Sequence, residues 1–517
     1  MAESIRQRVL AHDRFQVELK HYYRLQPDRK SQYRITTYIF LPQSLGINSE
    51  VYSPREFYRR IQNYVRLRTP QFTLHELRTV ERSPLVQLLH TLEEDGWERD
   101  GLKRARVITS LKFLRAVLKS RIDRRLRRMR VGALHPIPAP APGADAGADA
   151  DTNGAADIGP EVERFIEDVT GAVDHFRSIA RRLEDTAAGE QVMQDYRLTD
   201  ESISLLLEEG LLAAYSLVHG HTAAEEKARL HGLLSQLIER EGDYRRGQGY
   251  PSQLLPNSDN EAFLFRSAAL KKFTSSVLYL SASVQQEGRT LEQLLFAGVA
   301  GISMIFATVI AFYFQARFGT FTLPVFAALV VGYMFKDRIK EVGRLLSTRL
   351  LRNYLFDRRI ILKTSDHSHE LGHLREKVGF VPFDELPEAV RTLRRQGEAT
   401  ELEGDGQQES VVAYTKEVSL LSQKFESIYP GGPLLAGVSD ILRLDIRPFL
   451  YKMADPVQRK PMLRKGRVVM VRCKKVYHLH LVSVIRDSNG VEPRYISSLL
   501  TLNRKGIVRV TSLPAGQ

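Results

Sequence analysis

The sharpest chemical motif in the chain is His369-Glu370-Leu371-Gly372-His373, which matches the pattern HExxH. On a helix this spacing places two imidazoles one turn apart, so that both bind one zinc ion. The intervening glutamate can then deprotonate a zinc-bound water. Under this interpretation His369 and His373 are metal ligands, Glu370 is the catalytic residue, and zinc is the cofactor.

These five residues resemble the zincin metallopeptidases, which implies a membrane-bound zinc metallopeptidase as an alternative function. The surroundings depart from that family, because Asp366 and Arg375 stand where it has uncharged or apolar helix residues, and no third-ligand motif follows. The pattern around the motif predicts a strand at 360–362, a polar turn at 364–370 and a strand up to Val381. This context favours a β-hairpin with no catalytic, cofactor or metal site, and leaves a metal contact through His367 as a further alternative.

Three other residues have types that can do chemistry. His478 and His480 alternate in a predicted strand and would share one face, but no third ligand accompanies them. Cys473 lies between Arg472 and Lys474, which can lower the pKa of a thiol. The chain contains no P-loop, no dinucleotide-binding glycine fingerprint after a strand, and no nucleophile elbow. Because these common enzymatic motifs are missing, the sequence favours a non-enzymatic protein.

Composition limits the class of protein. The 517 residues include one cysteine and carry a formal charge of +14. A single cysteine excludes an intramolecular disulfide framework and cysteine-rich zinc modules, and the length allows several domains with real cores. A net positive charge of this size is compatible with nucleic acid or with an anionic membrane surface as partner.

A long apolar block predicts a transmembrane hairpin at 291–335. Leu294 to Phe314 contains 21 uncharged residues, and a second uncharged stretch, Phe318 to Phe335, follows after three residues. At about 1.5 Å per residue the first stretch spans the roughly 30 Å hydrocarbon layer. Pro324 fits the entrance of the second helix, where a missing N–H costs least. Ala297 and Gly301 allow close packing either within the hairpin or between copies, as in a homo-oligomer.

Basic residues predict the orientation of this hairpin. Residues 336–359 contain eight Lys or Arg and three acids, whereas the connection between the spans offers only Arg317. Because Lys and Arg are retained in the cytoplasm, both termini are expected there, with the protein in the cell inner (plasma) membrane as a two-pass protein. The spans contain no ionisable residue, so they offer no candidate for a proton relay.

The first 130 residues are predicted to form an α+β basic domain. Phe15–Leu25 and Tyr33–Leu41 alternate as two strands of a hairpin, and helices are expected at 54–66 and 102–130. The second helix carries 12 Lys or Arg and one acid. It fits a helix packed within its own domain, a contact with anionic lipid head groups or, less well, with nucleic acid. The Pro-, Ala-, Gly- and Asp-rich segment 131–160 is predicted to be a linker.

Two further regions complete the predicted organisation. Residues 161–290 show helical periodicity and are predicted to form a helical bundle, with its last helix running from Ser258 toward the first span. A basic juxtamembrane helix at 336–357 leads to a strand-rich C-terminal domain at 358–517. The predicted fold class is therefore an α+β membrane protein whose hairpin joins a mostly helical cytoplasmic N-terminal part to a strand-rich cytoplasmic C-terminal module.

The function expected from the sequence is that of a membrane-anchored, cytoplasm-facing interaction or scaffold protein without a cofactor. The bilayer, through anionic lipid head groups, is the expected partner. The zinc metallopeptidase and a nucleic-acid-associated membrane protein are the alternatives.

Overall fold

The computed structural model of the protein describes residues 5–25, 30–69, 72–73, 75–81, 83–94, 96–134, 158–185, 189–221, 224–319, 322–364, 369–395, 409–428, 437–487 and 492–513. Contacts divide the chain into two compact units. The first, here called the sheet unit, comprises Met1–Val65, Ser281–Ser422 and Ser439–Gln517. The second, here called the helical unit, comprises Arg66–Leu280 and Gln423–Val438. Each unit is thus built from segments that are distant in sequence.

The strands lie mainly in the sheet unit, and several of them, such as β3, β7 and β8, alternate between buried and more exposed residues, as a half-buried strand requires. In chain order they are β1 (Ile5–Ala11), β2 (Gln16–Arg24), β3 (Lys30–Pro42), β4 (Ile61–Leu67), β5 (Ser281–Gln286), β6 (Arg358–Lys363), β7 (Glu370–Val381), β8 (Glu409–Leu421), β9 (Gly437–Asp445), β10 (Val457–Arg464), β11 (Arg467–Lys474), β12 (Tyr477–Asp487), β13 (Arg494–Asn503) and β14 (Gly506–Leu513).

These strands form two packed sheets and a separate ribbon. The large sheet has the order β14-β13-β12-β3-β8-β7-β6-β5, the small sheet has the order β1-β2-β9-β4, and β10 pairs with β11 alone. One hydrophobic core joins the facing sides of the two sheets, with Leu19 and Leu442 from the small sheet and Ile39, Val412 and Leu481 from the large one. Burial of these side chains is the main force that holds the sheets together.

The helices follow the expected start signals where these are present. In chain order they are α1 (Pro54–Arg60), α2 (Glu76–Thr79), α3 (Pro84–Glu93), α4 (Gly101–Leu134), α5 (Gly159–Arg177), α6 (Ile179–Asp185), α7 (Gly189–His221), α8 (Ala224–Gly247), α9 (Glu261–Ser275), α10 (Arg289–Phe318), α11 (Leu323–Tyr354), α12 (Glu388–Arg395), α13 (Ser422–Ile428) and α14 (Arg447–Leu450). The N–H of Val86 donates to the Ser83 hydroxyl at the start of α3, and Pro84 occupies the first turn.

The helical unit is a bundle around α7. Helices α4, α5, α8 and α9 contact α7. The apolar faces of α4, α5, α7 and α8 form one buried cluster that includes Leu114, Phe165, Phe176, Leu211 and Leu234. Residues 161–218, whose periodicity predicts helices, supply much of this cluster. The basic helix α4 also belongs to the bundle, so the helical assembly is larger than the segment 161–290.

A helical hairpin, α10 and α11, is inserted between two neighbouring strands of the large sheet. Strand β5 ends at Gln286 just before α10, and β6 begins at Arg358 just after α11. Gln286 and Arg358 face each other in the antiparallel β5–β6 pair. The chain therefore leaves and re-enters the sheet at one place.

Outside the α10–α11 hairpin, the structure differs from several of the sequence-based expectations. Strands β2 and β3 form where they are predicted, but they lie in different sheets, because β1 pairs with β2 and β8 pairs with β3. The helix predicted at 54–66 ends at Arg60 and continues as β4. The helix expected to run on toward the first span ends at Ser275, and β5 follows it. Most of the predicted linker 131–160 lies outside the described residues.

Candidate functional site

Helix α10 presents a long apolar surface that the rest of the sheet unit leaves uncovered. Among the described residues, Thr290–Phe318 is the one helix long and apolar enough to cross a membrane, and 6% of its most apolar window is buried. Ile302, Val309 and Phe312 are 60–67% exposed. Exposed apolar surface of this extent is typical of a membrane or protein contact.

The second predicted span is interrupted. Phe318 ends α10 and Leu323 begins α11, so that 318–335 is not one helix. The uncharged part of α11, Leu323–Phe335, has 13 residues and a length of about 20 Å, which is shorter than a hydrocarbon layer of about 30 Å. The structure thus contains one candidate membrane helix rather than two, within a mixed α+β protein. Pro324 lies in the first turn of α11, as predicted.

The register of the α10–α11 hairpin places charges beside the base of α10. A Cβ on Gly332 would lie 3.6 Å from the Ile310 side chain, and a Cβ on Gly343 would collide with Val299. The Arg344 guanidinium lies 5.5 Å from the centre of the Phe296 ring. The charged half of α11 therefore runs alongside residues 294–306 of α10. Only the outer part of the hairpin is uncharged on both helices, apart from Arg317.

Small residues allow close approach inside the hairpin, but not at the predicted pair. Glycine at position 343 is needed because a side chain there would meet Val299. In contrast, Gly301 has open space around its Cβ direction, and Ala297 is exposed. The Ala297–Gly301 pair thus faces away from α11, and a contact between copies of the chain stays a prediction.

The HExxH residues lie in an extended segment, not on a helix. His369 precedes β7, Glu370 begins it and His373 lies within it, paired with Ile361 of β6. Four residues of extended chain cover about 13 Å, whereas one helical turn covers about 5.4 Å. The two imidazoles are therefore not posed to bind one metal ion. In the part of the chain that the structure describes, no group of three or more His, Cys, Asp or Glu is placed to hold a metal. His367 lies outside the described residues.

His373 lines an open polar cleft on the outer face of the large sheet, together with Arg34, Arg375 and Glu417. Partial burial, with Arg359 nearby, lowers the pKa of His373 below its ordinary value. Arg375 pairs with Glu287 at 2.6 Å and with Glu417 at 3.2 Å. The neutral imidazole is the form that binds metal ions, but the positive charges of Arg359 and Arg375 beside it oppose the approach of a cation.

The remaining candidates from the sequence do not converge on a site. His480 Nε2 lies 2.6 Å from the Ser497 hydroxyl, and His478 Nδ1 lies 3.5 Å from that of Thr501. Burial, followed by the nearby Arg394, lowers the pKa of His480 to about 4. Both histidines therefore bond hydroxyls of the neighbouring strand β13. Cys473 is exposed on β11.

A buried charge network between the two sheets was missed by the sequence analysis. Lys416 Nζ lies 2.6 Å from Asp440 Oδ2 and 3.3 Å from Glu376 Oε1. The hydroxyl of Tyr414 donates to Glu376 at 2.6 Å, and that of Tyr23 donates to Asp440 at 3.2 Å. The five side chains are at most 4% exposed. Lysine and glutamate at inward-facing positions, between Tyr414 and Val418 and between Leu374 and Val378, were the available signal.

The network is electrostatically self-contained except for one imidazole. Burial opposes the charge on Lys416, but Asp440 and Glu376 raise its pKa. Burial also opposes the charge on Glu376, yet Lys416 and Arg358 lower its pKa. His21 is buried with its Nδ1 4.0 Å from Asp440, and burial lowers its pKa to about 4. This arrangement holds charges paired in the core and is suited to fixing the two sheets together rather than to binding a substrate.

The basic helix α4 uses its apolar face inside the helical unit. Val107, Leu111, Leu114, Leu118 and Ile122 are at most 3% exposed. A helix lies in a lipid interface through such a face, which here is already covered by protein. The packed alternative therefore describes the apolar face of α4.

The exposed α10–α11 hairpin is the feature of the described chain that most needs a partner, and the charge network pairs buried ionisable groups between the two sheets. Neither carries the ligand geometry of a metal centre. Comparison of the chain with models of protein families, with curated proteins and with solved structures finds no match.

Proposed function

We propose that the protein is a membrane-anchored interaction or scaffold protein held on the cytoplasmic face of the cell inner membrane by the α10–α11 hairpin. The observation that carries the proposal is the uncovered apolar surface of this hairpin, including Phe312 at 67% and Phe326 at 65% exposure. In water this surface would cost about 25 cal/mol for every Å² left exposed, and hydrocarbon removes that cost.

The connection of the hairpin to the sheet supports a single-sided topology. Because β5 and β6 are neighbours, both ends of the hairpin meet the same sheet, which contains β3 from the N-terminal part and β12–β14 from the C-terminal part. A folded sheet cannot be divided across a bilayer, so both termini belong on one side. The basic residues of 336–359 favour the cytoplasm as that side.

Binding is proposed rather than catalysis because the best catalytic motif lies in a strand. Glu370 is not posed as a base beside two ligands, and His369 and His373 are separated by extended chain. The large polar surfaces of the two units are then available for protein partners.

Flotation of the full-length chain with phosphatidylcholine vesicles tests the anchor. Replacing Val309, Phe312 and Phe326 by lysine places charge on the uncharged part of the hairpin, at about 2.5–3.5 kcal/mol for each lysine in hydrocarbon. We expect the purified variant to lose more than about 100-fold in vesicle partitioning.

The matched control introduces three lysines at exposed apolar positions elsewhere, Leu254, Leu255 and Tyr451, which are 58–80% exposed. This variant should float like the unaltered chain. Equal flotation of the hairpin variant and the control would refute the anchor.

A further inference from the structure

The β10–β11 ribbon is an unusually exposed part of the sheet unit. Its two strands pair only with each other, and all 16 of their residues are exposed. Leu463 and Val468, opposite each other near the turn, are 72% and 71% exposed, and Met470 is 55% exposed. A lone two-stranded hairpin is marginally stable in water, so an apolar ribbon of this kind is expected to gain stability from a surface that it contacts.

The ribbon also concentrates positive charge. Residues 457–475 contain eight Lys or Arg and no Asp or Glu. The register places Arg459 opposite Arg472 and Arg464 opposite Arg467. Like charges directly across a strand pair repel each other, and none of these four arginines pairs with an acidic side chain in the described chain. An anionic surface would relieve this repulsion.

The ribbon and the helical hairpin leave the large sheet at the same end. Neighbouring strands from β6 to β12 are all antiparallel, so that β6, β8 and β12 run in the same direction. Helix α11 leads into the start of β6, and the ribbon leads into the start of β12. The apolar hairpin and the basic ribbon are therefore attached to the same end of the large sheet.

We propose that the β10–β11 ribbon is a second membrane contact, in which arginine and lysine bind anionic lipid head groups while Leu463, Val468 and Met470 enter the interface. This inference rests on the proposed membrane anchor. Lipid is favoured over nucleic acid because the ribbon combines its charge with apolar side chains, which phosphate backbones do not accommodate, and because it shares an end of the sheet with the hairpin.

The single cysteine of the chain makes the ribbon directly observable. Cys473 is exposed on β11, so an environment-sensitive fluorophore attached to the full-length protein reports on the ribbon alone. The labelled protein is placed in vesicles of phosphatidylcholine, with or without phosphatidylglycerol. Quenching by nitroxide-labelled lipid and by aqueous iodide is then measured.

We expect the probe to become shielded from iodide and quenched by lipid nitroxide only when phosphatidylglycerol is present, and high salt to reverse this. A control probe in Cys473→Ser/Glu492→Cys lies in the β12–β13 connection, at the opposite end of the sheet. It should stay accessible to iodide in both kinds of vesicle.

Variants without positive charge identify which basic side chains are responsible for the response to phosphatidylglycerol. Replacing Arg459, Lys460, Arg472 and Lys474 by glutamine removes four bases, and should weaken the phosphatidylglycerol response about tenfold or more without changing flotation on phosphatidylcholine. Replacing four exposed arginines of α4 by glutamine is the matched control, and should leave the response unchanged: Arg104, Arg106, Arg127 and Arg128.

Three outcomes would overturn the proposal. In the first, the Cys473 probe stays accessible to iodide in phosphatidylglycerol vesicles. In the second, the α4 variant rather than the ribbon variant loses the response. In the third, the probe responds to a DNA duplex but not to anionic lipid, which would assign the ribbon to nucleic acid. Failure of the anchor itself is distinguished by loss of flotation on phosphatidylcholine, which the ribbon variant does not affect.

Discussion

Single ionisable residues in the core of the sheet unit set how its stability responds to charge and to pH. Lys416, Glu376 and Asp440 are fully buried, and Lys416 pairs with both carboxylates. Burial of an isolated charge is costly, whereas a buried set with matched partners is tolerated. The network therefore makes each member depend on the others.

Replacing Lys416 by methionine should lower the free energy of unfolding by about 3–5 kcal/mol, because the substitution leaves two buried carboxylates without their shared cation. Denaturant unfolding of the purified protein in detergent measures the change. The matched control is Lys505→Met at an exposed turn position, which should change stability by less than about 0.5 kcal/mol. A Lys416 variant as stable as this control would contradict the role of the network.

His21 predicts that the fold weakens in mild acid. Its pKa falls from 6.5 to about 4 on folding, since burial disfavours the imidazolium. Between these values the unfolded chain binds a proton that the folded chain does not, so stability is lost as pH falls through this window, by about 3 kcal/mol in total.

The measurement is the free energy of unfolding from pH 7 to about pH 4, compared with His21→Gln. The variant should lose up to one proton from the pH slope, and the contribution of His480, whose pKa is also about 4, should remain. An unchanged slope in the variant would show that His21 titrates normally in the folded protein.

At the scale of elements, the uncharged segments of the two hairpin helices differ in length, and this limits how deeply the hairpin can enter a bilayer. Helix α10 is long enough to cross, but α11 offers 13 uncharged residues beyond its charged half. If 20 residues of α11 crossed the bilayer, five charged residues would lie in the hydrocarbon. In a shallower insertion, Arg317 would be the one charged residue there. For the proposed anchor, a shallower insertion is therefore favoured over the two-pass arrangement.

A cysteine at position 317 tests the depth of the hairpin. In a Cys473→Ser background, we expect Arg317→Cys to remain unlabelled when an impermeant maleimide is added outside intact cells, and to react once detergent dissolves the membrane. Glu492→Cys in the same background should react after simple permeabilisation. Labelling of position 317 in intact cells would instead support a complete crossing.

The sequence predicts strands at the positions of β6, β7 and β12, because alternating apolar residues identify a half-buried strand locally. It misses β10, where Pro461 and basic residues hide the strand, and β5, whose sequence SASVQQ is largely polar. Pairing partners are a harder problem, since β3 lies between β8 and β12, which are hundreds of residues away. The charge network is hidden for the same reason, as Tyr23 and Asp440 are 417 positions apart.

At the scale of the whole molecule, the sheet unit is assembled from both ends of the chain. Strand β3 is central to the large sheet and pairs with β8 along 13 residues. The strand-rich region 358–517 does not include β3. Without β3, neither β8 nor β12 has the strand that separates them in the sheet as a hydrogen-bonding partner. The sheet unit and the helical unit accordingly do not follow the segment boundaries expected from the sequence.

A fragment of residues 358–517 should fail to fold cooperatively on its own, because removal of β3 leaves the edges of β8 and β12 unpaired and their apolar faces exposed. Near-ultraviolet circular dichroism and denaturant unfolding measure this. Co-expression with residues 1–65 should restore part of the native signal. A cooperative transition of the isolated fragment would show that this region is an autonomous domain.

Because the hairpin lies between adjacent strands, the proposed anchor is an insertion that can be removed from the sheet. Glu287 and Asp357 flank the hairpin. Glu287 pairs with Arg375 of β7, and Asp357 accepts a hydrogen bond from Tyr58 of α1. The two acids stand where the next cross-strand pair of β5 and β6 would lie. Replacing residues 288–356 by Asn-Gly would close these strands with a tight turn of the type that antiparallel pairs favour. The shortened chain should then stay in solution without detergent while its sheet remains intact. The fold and its proposed membrane attachment would thus be separable, because the hairpin joins the sheet only at the β5–β6 pair.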